Sequence, residues 1–156
     1  MPQAKELIKA KDYVYKLLSY CQRSTREVKE RLRKKGFNPA VTRKTIKYLS
    51  EINYLNDQEF AKSWIRSKMQ SSPVGRAVLR YQLRQKGITE EVLEQALGEL
   101  SSHYDEFRVA KKLVASRRLR YKGLKDQKKL KKRLYDYLRR RGFSSETILQ
   151  AINHKP

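Results

Sequence analysis

The sequence predicts an all-α protein of three tandem three-helix repeats forming an elongated, curved array. The string Leu83-Arg84-Gln85-Lys86-Gly87-Ile88-Thr89 has two counterparts. In Leu32-Arg33-Lys34-Lys35-Gly36-Phe37-Asn38 the glycine falls 51 residues earlier, and in Leu138-Arg139-Arg140-Arg141-Gly142-Phe143-Ser144 it falls 55 residues later. Similarity at a near-constant period is the signature of a repeat architecture. Between the strings, apolar residues recur at helical spacing, with no alternating strand pattern. The 38% apolar content suits a thin helical stack better than a thick sandwich.

Each string is a helix stop followed at once by a helix start. A left-handed glycine ends a helix, and the apolar residue after it folds back over the side chain four positions before that glycine. This pairs Leu32 with Phe37, Leu83 with Ile88, and Leu138 with Phe143. The basic residues complement the negative end of the helix dipole. Asn38, Thr89 and Ser144 are placed to accept the first amides of the following helix.

The first repeat, residues 1–53, opens with an amphipathic helix from Ala4 to Cys21, its face formed by Leu7, Ala10, Val14, Leu17, Leu18 and Cys21. Cys21 is therefore expected in the core. Ser24-Thr25-Arg26-Glu27 is a capping box for the second helix, which carries Val28 and Leu32. Asn38-Pro39 starts the third, with Val41, Thr45, Ile46 and Leu49 inward.

The second repeat, residues 54–100, begins at Tyr54-Leu55-Asn56-Asp57-Gln58-Glu59-Phe60-Ala61. Asn56 caps, Glu59 is placed to return the bond, and Leu55 and Phe60 occupy hydrophobic-staple positions. Trp64, Ile65 and Met69 continue this helix until Ser71-Ser72-Pro73 breaks it. Val78, Leu79 and Leu83 face inward on the next helix, and Val92, Leu93, Ala96, Leu97 and Leu100 on the one after Gly87.

The third repeat, residues 101–156, opens near Tyr104 with Phe107, Ala110, Leu113 and Val114 inward. Asp126 caps a helix striped by Leu130, Leu134, Tyr137 and Leu138, and Ile148, Leu149 and Ile152 lie on the last. A unit of about 50 residues is marginal by itself. Neighbouring units are therefore expected to share apolar faces.

The chain carries 38 Lys and Arg against 16 Asp and Glu, a net charge of +22. The charge is uneven. Residues 1–53 hold 14 basic and 5 acidic residues, residues 54–100 hold 7 and 6, and residues 101–156 hold 17 and 5. Two units at net +9 and +12 carry a self-repulsion that contact with a polyanion relieves. The contact candidates are Lys34, Lys35, Arg43, Lys44 and Lys47 in the first repeat. In the third they are Arg117, Arg118, Arg120, Lys122, Lys128, Lys129, Lys131, Lys132, Arg133, Arg139, Arg140 and Arg141. No base-reading pattern accompanies them, so phosphate contact to single- or double-stranded DNA without sequence preference is expected. Tyr121 and Tyr135 lie among the cations. Their expected role is packing with a wet hydroxyl, ahead of base stacking.

Enzyme chemistry finds no support. There is no phosphate-binding glycine loop, zinc-spaced Cys/His cluster or Ser-His-Asp set. His103 and His154 sit in polar contexts expected to be exposed. The acidic pairs Asp57/Glu59 and Asp105/Glu106 fall at helix starts, where carboxylates serve the dipole. No cofactor and no metal are expected. A lone cysteine rules out an intrachain disulfide and fits a reducing, cytoplasmic setting; no run approaches a membrane span.

The middle repeat carries a further signal. Asn56, Asp57, Phe60 and Ala61, followed by Gly75, Leu79, Leu83 and Lys86-Gly87-Ile88, resemble the signature of the RecX recombination regulators, and Ser24 to Gly36 resembles the same family. The resemblance covers essentially the whole chain, since that family is built of tandem three-helix repeats. It implies a non-enzymatic, cytoplasmic regulator of DNA repair, homologous recombination and the SOS response. Such a protein binds the RecA filament on DNA and restrains its ATPase, strand-exchange and co-protease activities. A monomer without membrane contact is expected. The residues alone leave two other functions open: a sequence-independent DNA-binding protein for which RecA is incidental, and a helix-turn-helix transcription factor suggested by Ser24 to Leu49.

Overall fold

A computed structural model describes residues 2–100 and 104–154. His103, expected to be exposed, lies outside the described residues. In chain order the helices are α1 (Pro2–Tyr20), α2 (Thr25–Lys35), α3 (Pro39–Glu51), α4 (Asp57–Ser71), α5 (Arg76–Gln85), α6 (Glu90–Glu99), α7 (Glu106–Arg120), α8 (Gln127–Arg140) and α9 (Ser145–Asn153). No strand occurs among the described residues.

The three glycine strings fold as their chemistry requires. Gly36, Gly87 and Gly142 have φ of +91°, +81° and +84°. The amides of Phe37, Ile88 and Phe143 donate back to the carbonyls of Leu32, Leu83 and Leu138 at 3.2, 3.0 and 3.3 Å. These bonds satisfy carbonyls that a helix end leaves open. Downstream, Asn38, Thr89 and Ser144 accept from the amides of Ala40, Val92 and Thr147. The Ser24/Glu27 capping box closes in both directions.

Each unit has its own core. Ala10, Val14, Val28, Leu32, Val41, Leu49 and Leu55 form the first. Phe60, Ile65, Leu79, Leu83, Ile88, Leu93, Leu97 and Tyr104 lead the second. Ala110, Val114, Leu134, Leu138, Phe143, Ile148 and Ile152 form the third. Helix-on-helix packing is concentrated within units. This narrows the expectation that neighbours share apolar faces: apart from Leu55 and Tyr104, each packed back into the preceding core, the units meet at helix ends through polar groups.

Three local expectations are corrected as well. Cys21 is exposed, because α1 ends at Tyr20 and the chain turns before Cys21 would come round to the buried stripe. Leu55 and Phe60 form no staple across the start of α4. Leu55 packs into the first core and Phe60 into the second. Tyr104, two residues before α7 as Leu55 is two before α4, likewise packs back into the preceding core. Asn56 caps the amides of Gln58 and Glu59. Glu59 returns no bond to the cap, because Lys62 holds its carboxylate at 2.5 Å.

Candidate nucleic-acid interface

In the first unit Lys34 and Lys35 lie on the last turn of α2, and Arg43, Lys44 and Lys47 on α3; all five are exposed. Lys47 approaches Glu51 at 3.9 Å, and Lys35 stands 6.0 Å from the ring of Tyr13. Lys34, Arg43 and Lys44 have no acidic partner within 4 Å among the described residues.

The third unit is more cationic and less neutralised. Three of its five acids face helix amides: Asp105 accepts from Arg108 N, Glu106 from Arg76 N, and Asp126 from Lys128 N and Lys129 N. Its ion pair among the described residues is Lys129 with Asp126, at 4.0 Å. Along α8 the apolar stripe of Leu130, Leu134 and Leu138 turns to the core. Lys128, Lys129, Lys131, Lys132, Arg133, Arg139 and Arg140 remain exposed, as do Arg118, Arg120 and Lys122 around the end of α7.

Several of these cations also have structural work. Arg117 lies 4.0 Å from the ring centre of Tyr137, and Arg133 lies 5.7 Å from that of Tyr121. Arg118 donates to the Ile152 carbonyl at 2.6 Å, and Lys131 reaches Asn153 at 3.4 Å. Arg141 donates to the Pro73 carbonyl at 2.8 Å and so ties the third unit to the second. Tyr121, Tyr135 and Tyr137 pack against the third core. Tyr135 also pairs its hydroxyl with Ser145 at 2.9 Å.

The middle unit neutralises itself. Lys62 bonds Glu59 and Glu99, Arg80 bonds Glu90 and Glu94, and Arg84 bonds Glu90. The hydrogen bonds to Glu59 and Glu99 raise the Lys62 pKa, and that from Lys62 lowers Glu99. Burial pushes Glu90 upward, but Arg80 and Arg84 outweigh it and hold the carboxyl below its ordinary range. The two cationic sets therefore lie on separate units with a charge-paired unit between them.

Most of the signature residues of the middle unit build structure. Ala61, Leu79, Leu83 and Ile88 are buried in its core, with Phe60 beside them. Asp57, Gly75, Lys86 and Gly87 instead form the seams between units. Thr25 N donates to Asp57 Oδ1 at 2.8 Å, Lys86 Nζ bonds Glu27 Oε1 at 2.7 Å, and Gly75 N donates to the Arg141 carbonyl at 2.8 Å. Composition does not reveal this role. The available signal was the basic residue directly before the glycine in all three strings, since Lys86 and Arg141 each reach across a seam.

Fold and charge define a class: a tandem three-helix-repeat protein whose cationic outer units flank a self-neutralised middle unit. Residues 10–49, 56–97 and 104–152 match, in that order, the first, second and third three-helix domains of RecX. The chain belongs to the RecX family. It is 35% identical over 132 residues to the regulatory protein RecX of Prosthecochloris aestuarii (strain DSM 271 / SK 413), covering 85% of this chain and 83% of that one. It is 38% identical over 136 residues to the regulatory protein RecX of Bacillus subtilis (strain 168), covering 87% of this chain but 51% of that longer one. The crystal structure of RecX from Lactobacillus salivarius superposes with a TM-score of 0.85 over 96% of each chain, at 24% identity. A second RecX crystal structure gives 0.83 over 98% of this chain and 74% of the other, at 23% identity. No helix among the described residues is long and apolar enough to cross a membrane.

Proposed function

We propose that this chain is a regulatory protein that binds the RecA filament on DNA and restrains its ATPase, strand-exchange and co-protease activities. The family supports a regulatory role. The observation that carries the mechanism is the cation face of α8, with Lys129–Asp126 its one ion pair among the described residues, one near-neutral unit away from a second cationic face on α2 and α3. A tandem scaffold of this kind presents two cationic faces to a long polyanion and grips it at two places, while the middle unit contributes little net charge. Phosphate contact positions such a scaffold without reading sequence. The action needs no catalytic group or cofactor. It follows from occupying a surface that the filament uses.

Titrating the protein into a RecA ATPase assay on single-stranded DNA tests the reading, and hydrolysis is expected to fall with added protein. Replacing Lys128, Lys129, Lys131 and Lys132 together by glutamate is expected to weaken filament binding. It should also flatten the salt dependence, by roughly 0.9 log unit per log unit of salt for each phosphate that α8 no longer neutralises. Unchanged binding and slope would remove α8 from the interface. Equal affinity for RecA-coated and bare DNA would favour a sequence-independent DNA-binding protein instead.

A further inference from the structure

Large apolar side chains left in solvent gather unevenly on this molecule. Ile8 on α1, Tyr48 on α3, and Ile52 and Tyr54 just beyond α3 are 60%, 37%, 47% and 50% exposed. Ile8, Lys11 and Tyr15 are spaced three and four apart, and Lys44, Tyr48 and Ile52 four apart, so each set lies along one side of its stretch. Two close approaches bring the sets together. Lys11 Nζ stands 3.3 Å from the Tyr48 ring centre, and Tyr15 meets Tyr54 edge-on at 4.9 Å. The rows therefore advance side by side along α1 and α3, forming one strip about 10 Å long at 1.5 Å per helical residue.

The strip leads to a recess at the seam between the first and second units. Its volume is about 300 Å³, and Leu18, Arg23, Tyr54, Asn56, Glu59 and Phe60 are among its lining residues. Glu59 is engaged by Lys62. Arg23 has a buried Nε with no hydrogen-bond partner. The side chain therefore brings a positive charge to the recess wall that no acidic group pairs within 4 Å among the described residues.

Three kinds of occupant are chemically possible, and the side chains select among them. A second copy of the chain, itself at net +22, would have to approach a +9 unit, which repulsion opposes. Unpaired bases stack on flat rings, but two isoleucines offer no stacking face, and Lys11 already covers one face of Tyr48. Tyrosines, an arginine and aliphatic residues with a lysine border match a protein interface instead. The positive border and the Arg23 guanidinium lining the recess favour an acidic partner.

We infer that the α1–α3 strip and the Arg23 recess form a docking site for an acidic protein segment, an apolar side chain lying on Tyr48 and Ile52 and a carboxylate reaching Arg23. This deepens the proposed function and rests on it, the segment belonging to a RecA subunit of the filament. The first unit then holds protein through this strip in addition to the phosphate contact of its α2 and α3 cations, while α8 holds phosphate.

Two variants test it on the full chain: Tyr48→Ser combined with Ile52→Ser, at sites exposed enough to fold, and Arg23→Lys, which keeps the charge but removes the planar guanidinium that pairs a carboxylate at two points. Each is compared with wild type for binding to RecA filaments on single-stranded DNA and to the same DNA bare, with circular dichroism confirming the fold. Filament binding is expected to weaken about tenfold for the double variant, the scale of losing an aromatic hot spot. It should weaken measurably for Arg23→Lys, with bare-DNA binding unchanged for both. Equal loss on bare DNA would make the strip a nucleic-acid surface, and no loss on either would show it unoccupied; both results overturn the inference. If wild type itself shows no preference for RecA-coated DNA, the filament reading falls and takes this docking site with it. A wild-type preference that both variants retain removes only the docking site.

Discussion

The two seams of this molecule use equivalent positions and different chemistry. In each, the start of one unit's second helix meets the glycine turn that ends the next unit's second helix. At the first seam side chains do the joining. Ser24 Oγ donates to the Lys86 carbonyl at 2.6 Å, Thr25 N donates to Asp57, Lys86 pairs with Glu27, and Arg26 lies over Gly87. At the second seam the serine position is Gly75, and the backbones meet directly. Gly75 N and Ala77 N donate to the Arg141 and Gly142 carbonyls at 2.8 and 3.3 Å, and Arg76 N donates to Glu106 as Thr25 N does to Asp57. One side chain, present at position 24 and absent at 75, therefore separates a joint that includes an ion pair between units from one that adds close backbone approach to its side-chain bonds.

The largest way to break this comparison is Gly75→Ala. A Cβ there would lie 2.2 Å from the Gly142 carbonyl oxygen, and neither backbone can yield without losing its bonds. A cost of about 2–3 kcal/mol is expected from overpacking, seen as a lower melting temperature and faster hydrogen exchange at Gly75 and Ala77.

The next effect separates seam strain from turn strain. Gly142→Ala incurs both, because its Cβ would meet Val78 and its φ is positive. Gly36→Ala incurs only the φ cost of about 1 kcal/mol, since nothing lies within 4 Å of that site. Equal melting temperatures for the two variants would show that the glycine turn, and not the seam, sets the requirement.

The smallest effect sharpens the first seam. Glu27→Gln is expected to cost about 1 kcal/mol, because its ion pair with Lys86 is only partly shielded from water. Burial raises the Glu27 pKa, but the Lys86 ammonium and the Ser24 amide prevail and hold it below the ordinary 4.5. The native state therefore binds this proton more weakly than the unfolded chain does. The contribution is whole above about pH 4.5 and fades as acid titrates the carboxylate through its lowered value. Protection from hydrogen exchange at Ser24, whose amide donates to Glu27 at 3.1 Å, is expected to fall in that acid range in wild type and to lose that dependence in Glu27→Gln. The Gly75 and Ala77 amides, bonded to carbonyls, serve as the internal control.

Helix stops, caps and apolar stripes were legible in the chain because each is decided within about six residues. Leu32, Gly36, Phe37 and Asn38 contain the whole physics of their turn. The charge contrast between units was legible for the same reason, since counting needs no knowledge of packing. Cys21 was misplaced because periodicity does not show where a helix stops without a glycine. Leu55 was misassigned because a staple position and a return to the previous core look identical along a sequence.

By itself, then, the sequence determined three glycine-terminated helical units and the excess of cations on the outer two. Only the tertiary structure decided that the units keep separate cores and join through helix ends, that Arg141 and Lys86 face seams, and that Ile8, Tyr48, Ile52 and Tyr54 stand in solvent along one strip. The physical reason is range. Caps and turns are settled by neighbours a few bonds apart, whereas Ser24 and Lys86, or Gly75 and Gly142, lie more than 60 residues apart and acquire their roles only when the units pack.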